Sequence, residues 1–280
     1  MELTKYGLWI GRSVSEEHHG EAAHLAEALG YGALWLGSSP RLPKLRSMLE
    51  ASERIVIATG IVNIWAYDAA QLAEEFAALE DDFPGRVLLG IGIGHPEATQ
   101  EYEKPLTKTR KFLDGIAASE HPVPRERMAL AALGPKMLDL SYERALGTHP
   151  YFTPPAHTSF ARERLGAEAL VAPEQAVVID ENARAALMVA RQYAGYYLGL
   201  SNYVNNLRRF GYCDEALADG GSRELVEELV PQGSAEQAAV AVHAHLDAGA
   251  NHVCVQTLRA GGSAGLPERA WRELAAVLIG

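Results

Sequence analysis

The chain has 280 residues, of which 48% are hydrophobic, and carries a formal net charge of -11. That length and composition fit a single domain, residues 1–280, with one large buried core. The acidic balance argues against a nucleic-acid partner, because such binding depends on neutralising phosphates with basic side chains. No apolar run approaches the roughly 18 residues that span a bilayer, and no signal-peptide pattern opens the chain. We therefore expect a cytoplasmic protein that acts on small molecules and has no membrane partner.

Short apolar runs alternate with helical patterns along the chain, which is typical of parallel sheets with crossover helices. These runs predict strands at Tyr6–Gly11, Ala33–Leu36, Val56–Asn63, Val87–Ile91, Met128–Ala132, His149–Phe152, Ala176–Ile179 and Val253–Thr257. Eight strands joined in this way predict an α/β fold of the TIM (β/α)8 barrel type.

The last two predicted strands are separated by about seventy residues, far more than one crossover helix needs. Helical patterns fill this interval, so we predict a helical insertion between strands 7 and 8, at about residues 181–250, near the barrel mouth. Barrel enzymes vary specificity through such elements, and we expect Tyr203 to help close the pocket. A helix that only packs against the barrel wall explains the NYVNNL segment equally well.

The segment from Ala58 to Pro96 reads as strand, helix and strand, and it ends in the glycine-rich run GIGIG. Ligands on parallel sheets bind beyond the carboxyl ends of the strands, where Asn63, Gly92 and Gly94 fall. The two glycines admit a flat ring or a phosphate close to the backbone. We therefore expect the chemistry at this edge of the barrel.

A second candidate ligand site follows the fifth predicted strand, at Leu133, Gly134 and Pro135. Proline suits the first turn of a helix, and the free N–H groups and dipole at that end favour an anion. We expect a phosphate of a cofactor there.

Further donors to that phosphate are expected from the loop after the sixth strand, at Thr153, His157 and Thr158. The TPPAHT segment reads equally well as an ordinary helix-starting loop, with Thr158 as the cap of a helix at Ser159–Leu165.

Seven segments in order along the chain resemble one family: ATGIVNIWAYD, PGRVLLGIGIGHP, AALGPKML, GTHPYFTPPAHT, LVAPEQAVVID, NYVNNLRRFGY and AGANHVCVQ. They are similar to the luciferase-like monooxygenase superfamily, and most of all to its actinobacterial branch of oxidoreductases that use the deazaflavin coenzyme F420. The resemblance implies a luciferase-like TIM barrel, hydride transfer between coenzyme F420 and a small organic substrate, and a homodimer.

The resemblance also implies roles for residues of the third strand. A cis peptide between Gly60 and Ile61 would back the central ring of the cofactor, although the residues alone favour an ordinary trans glycine. Asn63, Trp65 and Tyr67, at or just past the end of that strand, would contact the ring or the substrate.

His95 directly follows the fourth strand, and histidine exchanges a proton near neutral pH, so we expect it to act as the acid or base. In sugar-oxidising relatives a glutamate stands near this place, and a histidine after the second strand is the base. The matching WLGSSP segment here has Ser38 and Ser39 instead, so the sugar dehydrogenase mechanism does not transfer. We expect Ser38 to face the substrate and His149 to be a core histidine.

Two other functions stay open at this point. Luciferase-like barrels also bind FMN and activate oxygen, so an FMN-dependent monooxygenase is one alternative. A non-catalytic deazaflavin-binding protein is the other, because the sequence displays no complete acid and base pair. We expect no metal, since His18 and His19 lack any ligand spacing.

Overall fold

The computed structural model describes residues 1, 3–95, 104–260 and 265–280, and Pro96 of the glycine-rich segment lies outside them. Within these residues a parallel sheet has eleven strands. Their bounds are β1 Tyr6–Ile10, β2 Ala33–Leu36, β3 Val56–Thr59, β4 Val62–Asn63, β5 Val87–Gly92, β6 Met128–Leu130, β7 Gly147–Thr148, β8 Leu170–Val171, β9 Glu174–Ile179, β10 Gln232–Gly233 and β11 Val253–Thr257.

Helices alternate with these strands, as the apolar periodicity predicts. Their bounds are α1 His19–Ala28, α2 Arg46–Glu50, α3 Ala69–Asp82, α4 Pro105–Ala117, α5 Pro135–Arg144, α6 Pro155–Leu165, α7 Ala183–Leu198, α8 Ser201–Arg209, α9 Asp214–Leu217, α10 Arg223–Leu229, α11 Ala235–Asp247 and α12 Glu268–Leu278. Across the described part of the chain, no helix combines the length and apolar character needed to cross a bilayer.

The sheet closes on itself through one continuous stretch of chain. The hydrogen-bonded strand order runs β9, β11, β1, β2, β3, β5, β6, β7, β8. Leu170 of β8 pairs with Gly147 at one end of this order, and Glu174 of β9 pairs with Cys254 at the other. Because β8 and β9 are consecutive parts of the segment 170–179, this segment joins both ends into a ring. The predicted α/β barrel is confirmed.

Alternate strand residues pack on the two faces of this ring. Leu8, Leu34 and Ile57 join the cluster that also contains the buried faces of the surrounding helices. Trp35 and Ala58 belong to a second cluster, built from strands and lying inside the ring. Burial on both faces explains why the strand sequences are almost continuously apolar.

Two predicted strands differ from the observed ones in more than their end residues. The predicted strand His149–Phe152 is wrong: β7 ends at Thr148. Pro150 has no N–H for the ladder, and Phe152 adopts a left-handed φ of 52°, so the chain leaves the sheet. The predicted strand Val56–Asn63 is split into β3 and β4 by a cis peptide between Gly60 and Ile61, which confirms that expectation.

The helical insertion between the seventh and eighth barrel strands is confirmed. Helices α7, α8 and α10 pack around a core of their own, which includes Ala190, Tyr203 and Val226. Helix α11 begins with a capping box formed by Ser234 and Gln237. It buries its apolar face in the main barrel core, so it serves as the crossover helix into β11.

Candidate functional site

A cavity of about 1020 Å³ opens at the carboxyl ends of the barrel strands. Its floor is formed by the ends of β1, β3, β5 and β7, and residues of α7 and α8 form one wall. Ligand sites in barrels lie at this face, and the volume suits a cofactor together with a substrate.

The floor is built around the indole of Trp9. The indole has room there because three neighbouring positions are glycines. An ideal Cβ at Gly37 would lie 2.2 Å from the indole, one at Gly60 2.4 Å and one at Gly11 2.8 Å. Contacts this short do not occur, so the indole occupies space that only glycines leave. Trp9 Nε1 is buried and has no hydrogen-bond partner within the described ranges.

His149 lies beside Trp9 at the cavity floor, in line with its expected place in the core, and also lines the cavity. Its Nδ1 is 2.7 Å from the carbonyl oxygen of Ala172. A carbonyl only accepts, so Nδ1 carries the hydrogen and Nε2 is bare. Burial lowers the pKa of His149 to about 4, which keeps the imidazole neutral at pH 7.

His95 lines the same cavity and contacts the insertion. Its Nδ1 lies 3.1 Å from Oδ1 of Asn202 in α8, and its ring lies 5.3 Å from that of Tyr203. Because the amide oxygen accepts, this contact places a hydrogen on Nδ1 and fixes the orientation of the ring. The end of β5 is thereby tied to α8.

Many of the residues singled out in the sequence converge on this cavity. Those that line it are Ser38, Gly60, Ile61, Gly92, Gly94, His95, Leu133, Gly134, Pro135 and Tyr203. They come from the last residue of β5, from the segments that follow β2, β3, β5 and β6 and from helix α8, and the four segments meet because the strands run parallel. Their individual roles stay predictions.

Asn63, Trp65 and Tyr67 lie behind the lining and hold loops together. The Asn63 Oδ1 accepts the backbone N–H of Trp65 at 3.1 Å. Trp65 Nε1 donates to the carbonyl of Ile93 at 2.8 Å. The Tyr67 hydroxyl donates to the carbonyl of Pro40 and accepts the N–H of Leu42. Contact between these side chains and a ligand stays a prediction.

Thr153, His157 and Thr158 are buried beneath the loop after β7. His157 Nε2 lies 3.0 Å from the carbonyl of Leu133, and Thr158 Oγ1 lies 2.7 Å from Nδ1 of His245. Helix α6 begins at Pro155, so the alternative in which Thr158 caps a helix starting at residue 159 is wrong. Phosphate contact by the three residues stays a prediction, and the buried Thr153 hydroxyl has no partner in the described chain.

The first turn of α5 faces the cavity. Gly134 is its N-cap residue, and Pro135, Lys136 and Met137 line the cavity with it. A ten-residue helix carries a partial positive charge at this end, and the Lys136 side chain adds a full one. This corner of the cavity suits a phosphate.

Sequence reasoning missed a cluster of tyrosines on the opposite wall. The ring centroids of Tyr193 and Tyr197 of α7 lie 4.8 Å apart in a tilted arrangement, and both rings lie near Tyr151. The sequence did contain a signal for this cluster. The tyrosines of the YAGYYL segment are three and four residues apart, which places them on one face of a helix.

Glu174, the first residue of β9, was also missed. Its Oε1 accepts the Tyr193 hydroxyl at 3.1 Å, and its Oε2 accepts the backbone N–H of Phe152 at 3.3 Å. Burial raises the pKa of this carboxyl to about 8. The sequence signal for this site was an acidic residue next to an apolar run that predicts a buried strand.

Residues 3–260 match the sequence model of the luciferase-like monooxygenases. The chain therefore belongs to this family and is an oxidoreductase, as the resemblance implied. Among the residues that the structure describes, no cluster of His, Cys, Asp and Glu could hold a metal ion.

Three proteins are similar to the chain in sequence or in fold. Rv3520c of Mycobacterium tuberculosis, an assigned coenzyme F420-dependent oxidoreductase, is 24% identical over 84% of this chain and 87% of its own length. An F420-dependent secondary alcohol dehydrogenase superposes with a TM-score of 0.76 at 16% identity, covering 99% of this chain and 98% of that one. An FMN-containing Baeyer–Villiger monooxygenase component of Pseudomonas putida superposes with a TM-score of 0.67 at 14% identity, covering 99% and 97%.

The glycine at position 37 is predicted to be essential for the cavity floor. Gly37→Ala places a methyl group against the Trp9 indole, so we expect the free energy of unfolding to fall by about 1–3 kcal/mol. The matched control is Gly195→Ala inside α7, where the added Cβ meets no atom closer than 3.8 Å and helix propensity improves. Urea unfolding followed by tryptophan fluorescence measures both, and equal effects would contradict the role assigned to Gly37.

Glu174 is predicted to make stability fall as pH rises. Its folded pKa lies above its unfolded value, so between about pH 4.5 and 8 only the folded state holds this proton. The stability advantage of the wild type over Glu174→Gln should therefore shrink by about 3 kcal/mol between about pH 5 and 8. Urea unfolding at both pH values measures this, and the exposed Glu168→Gln should show no such change.

Proposed function

We propose that the chain binds coenzyme F420 in this cavity and transfers a hydride between the deazaflavin and a small organic substrate. The observation that carries the proposal is the cavity floor at Gly60 and Ile61, where Gly92 and Gly94 also line the cavity and leave backbone open to a flat ring. The similarity to F420-dependent proteins supports it as well.

The residues present fit such a cofactor. An ideal Cβ at Gly92 would lie 3.0 Å from Ile61 and from Ala131, so a side chain there would fill the space for the ring. The side chains of Ile61 and Leu133 also line the cavity and would offer apolar surface to the ring. The amino end of α5, with Gly134, would hold the phosphate. Behind these groups, Asn63, Thr153, His157 and Thr158 would support the loops that touch the cofactor.

Bound at this place, the coenzyme supplies a two-electron hydride carrier. His95 would exchange the accompanying proton with the substrate, its ring oriented by Asn202. Ser38 and Tyr203 would contact the substrate within the cavity, and Trp65 and Tyr67 would hold the adjoining loops. The closely packed tyrosines of α7 would exclude water from the reacting atoms. The cytoplasmic location stays a prediction, and so does the homodimer that the resemblance implies.

An FMN-dependent monooxygenase is the second candidate. The fold likeness to an FMN-containing monooxygenase component supports it. The same cavity floor would back either tricyclic ring, so the choice between the two cofactors depends on measured affinity.

Direct titration separates the two candidates. We expect purified, cofactor-free protein to bind oxidised coenzyme F420 with saturable, micromolar or tighter affinity, and FMN at least about tenfold more weakly, a difference of about 1.4 kcal/mol. The fluorescence of each cofactor reports its binding. A preference for FMN would move the assignment to oxygen chemistry, and binding of neither would overturn both candidates.

The location of the cofactor has its own test. Ala131 lines the cavity, so Ala131→Phe should fill the space for the ring and weaken coenzyme F420 binding at least about tenfold. Ala118→Phe, at an exposed position after α4, adds the same side chain outside the cavity and serves as the control. Equal affinities of the two variants would mean that the cofactor binds elsewhere.

A further inference from the structure

The carboxyl group of Glu174 lies in an unusual setting, directly behind the wall of the cavity. Its residue is only 2% exposed. Tyr193 is its link to the cavity, because this tyrosine lines the cavity and its hydroxyl lies 3.1 Å from Glu174 Oε1. A buried acid that contacts the hydroxyl of a cavity-lining tyrosine can pass a proton through that tyrosine toward the cavity.

The surroundings of Glu174 disfavour its charged form. The titratable groups that face it are Tyr193 and Tyr197 on α7, Tyr151 after β7, Tyr203 on α8 and Cys254 on β11. Burial raises the pKa of each of these groups, so all of them are neutral near pH 7. Since none is a cation, the folded state favours the protonated carboxyl, in agreement with its raised pKa of about 8.

The contact between Glu174 and Tyr193 therefore has two forms. In the carboxylate form, the Tyr193 hydroxyl donates to Glu174 and is occupied. In the protonated form, Glu174 can donate to the Tyr193 oxygen, which leaves the tyrosine hydrogen free to donate into the cavity. Protonation of Glu174 therefore frees the Tyr193 hydroxyl to act as a hydrogen-bond donor at the cavity wall.

The same wall is suited to rings. Tyr193, Tyr197 and Tyr203 line the cavity, and Tyr197 lies 5.3 Å from Tyr203 in an edge-on arrangement. The Tyr197 hydroxyl donates to Tyr151, and the Tyr151 hydroxyl donates to Gln256 Oε1 at 2.6 Å. With these hydroxyls engaged within the protein, the rings present apolar and aromatic surface to a ligand.

From this arrangement we propose that Tyr193 is a catalytic proton donor for a ring-bearing carbonyl substrate, and that Glu174 positions and replenishes its proton. The inference rests on the proposed hydride transfer and names its substrate class, and for this class it assigns the accompanying proton to Tyr193 instead of His95. Tyr193 would give its proton to the carbonyl oxygen, while the carbonyl carbon would accept the hydride that reduced deazaflavin supplies when bound. The C=O π bond would break as the C–H and O–H bonds of the alcohol form, and the coenzyme would be left oxidised. Glu174 would then return a proton to Tyr193, and water would reprotonate Glu174.

The test uses cofactor-free protein and the aryl ketone 6-propionyl-2-dimethylaminonaphthalene, whose emission moves to longer wavelength when its carbonyl accepts a hydrogen bond. We expect saturable binding that Ala131→Phe weakens. At about pH 6 the bound probe should emit at longer wavelength in the wild type than in Tyr193→Phe. As pH rises through 8, wild-type emission should shift to that of Tyr193→Phe, because the carboxylate then captures the hydroxyl.

Two further variants test the role of Glu174. Glutamine at position 174 keeps an acceptor for Phe152 and adds a permanent donor to Tyr193, so Glu174→Gln should hold the longer-wavelength emission up to about pH 9. Tyr197→Phe removes a hydroxyl from the same wall without touching Glu174, and it should keep the wild-type pH step.

Three results would overturn the proposal. They are failure of the probe to bind, identical emission in the wild type and Tyr193→Phe at every pH, and a pH step that survives in Glu174→Gln. Because no cofactor is present, these results are independent of the coenzyme F420 titration, so either proposal can fail alone. Where both hold, a single turnover of the same ketone with reduced coenzyme F420 should lose its fall in rate above pH 8 in Glu174→Gln. Repeated turnover should slow in this variant, because glutamine returns no proton to Tyr193.

Discussion

The space occupied by the Trp9 indole is the constraint on which the cavity depends. Three strand ends, at Gly11, Gly37 and Gly60, leave out a side chain so that one large ring fits among them. The ring closes the barrel interior from above and leaves the backbone at Gly60 and Ile61 exposed to the cavity. A side chain at any of the three glycines would move the indole, and the flat floor would be lost with it.

Burial around this floor decides which groups carry charge. It lowers the pKa of His149 and raises that of Glu174, so both are neutral near pH 7. In the two proposals, proton exchange in the cavity uses His95 on one side and Tyr193 with Glu174 on the other. Both arrangements use the insertion, because Asn202 orients His95 and Tyr193 contacts Glu174. The insertion would therefore complete the proposed acid–base set, because Asn202 and Tyr193 belong to its helices.

Position along a parallel strand was the part of the site that sequence reasoning could predict. Gly92, Gly94 and His95 lie at the cavity because carboxyl ends of parallel strands meet at one face. The orientation of residues past the strand ends was harder to predict, because the alternation of side chains between two faces applies only within a strand. Trp65 and Tyr67 accordingly hold neighbouring loops instead of lining the cavity. For the same reason Pro150 and the left-handed Phe152 ended the sixth strand earlier than its apolar residues predicted.

By itself, the sequence determined the barrel, its helical insertion and the edge at which the cavity opens, because apolar periodicity and chain order are local properties. The cis peptide at Gly60 came from resemblance to a family, since local chemistry favours the trans form. Only the tertiary structure decided the surroundings of Glu174, whose neighbours come from α7, α8 and β11. Burial is set by segments distant in sequence, and it is burial that turns an ordinary glutamate into a protonated acid behind the cavity.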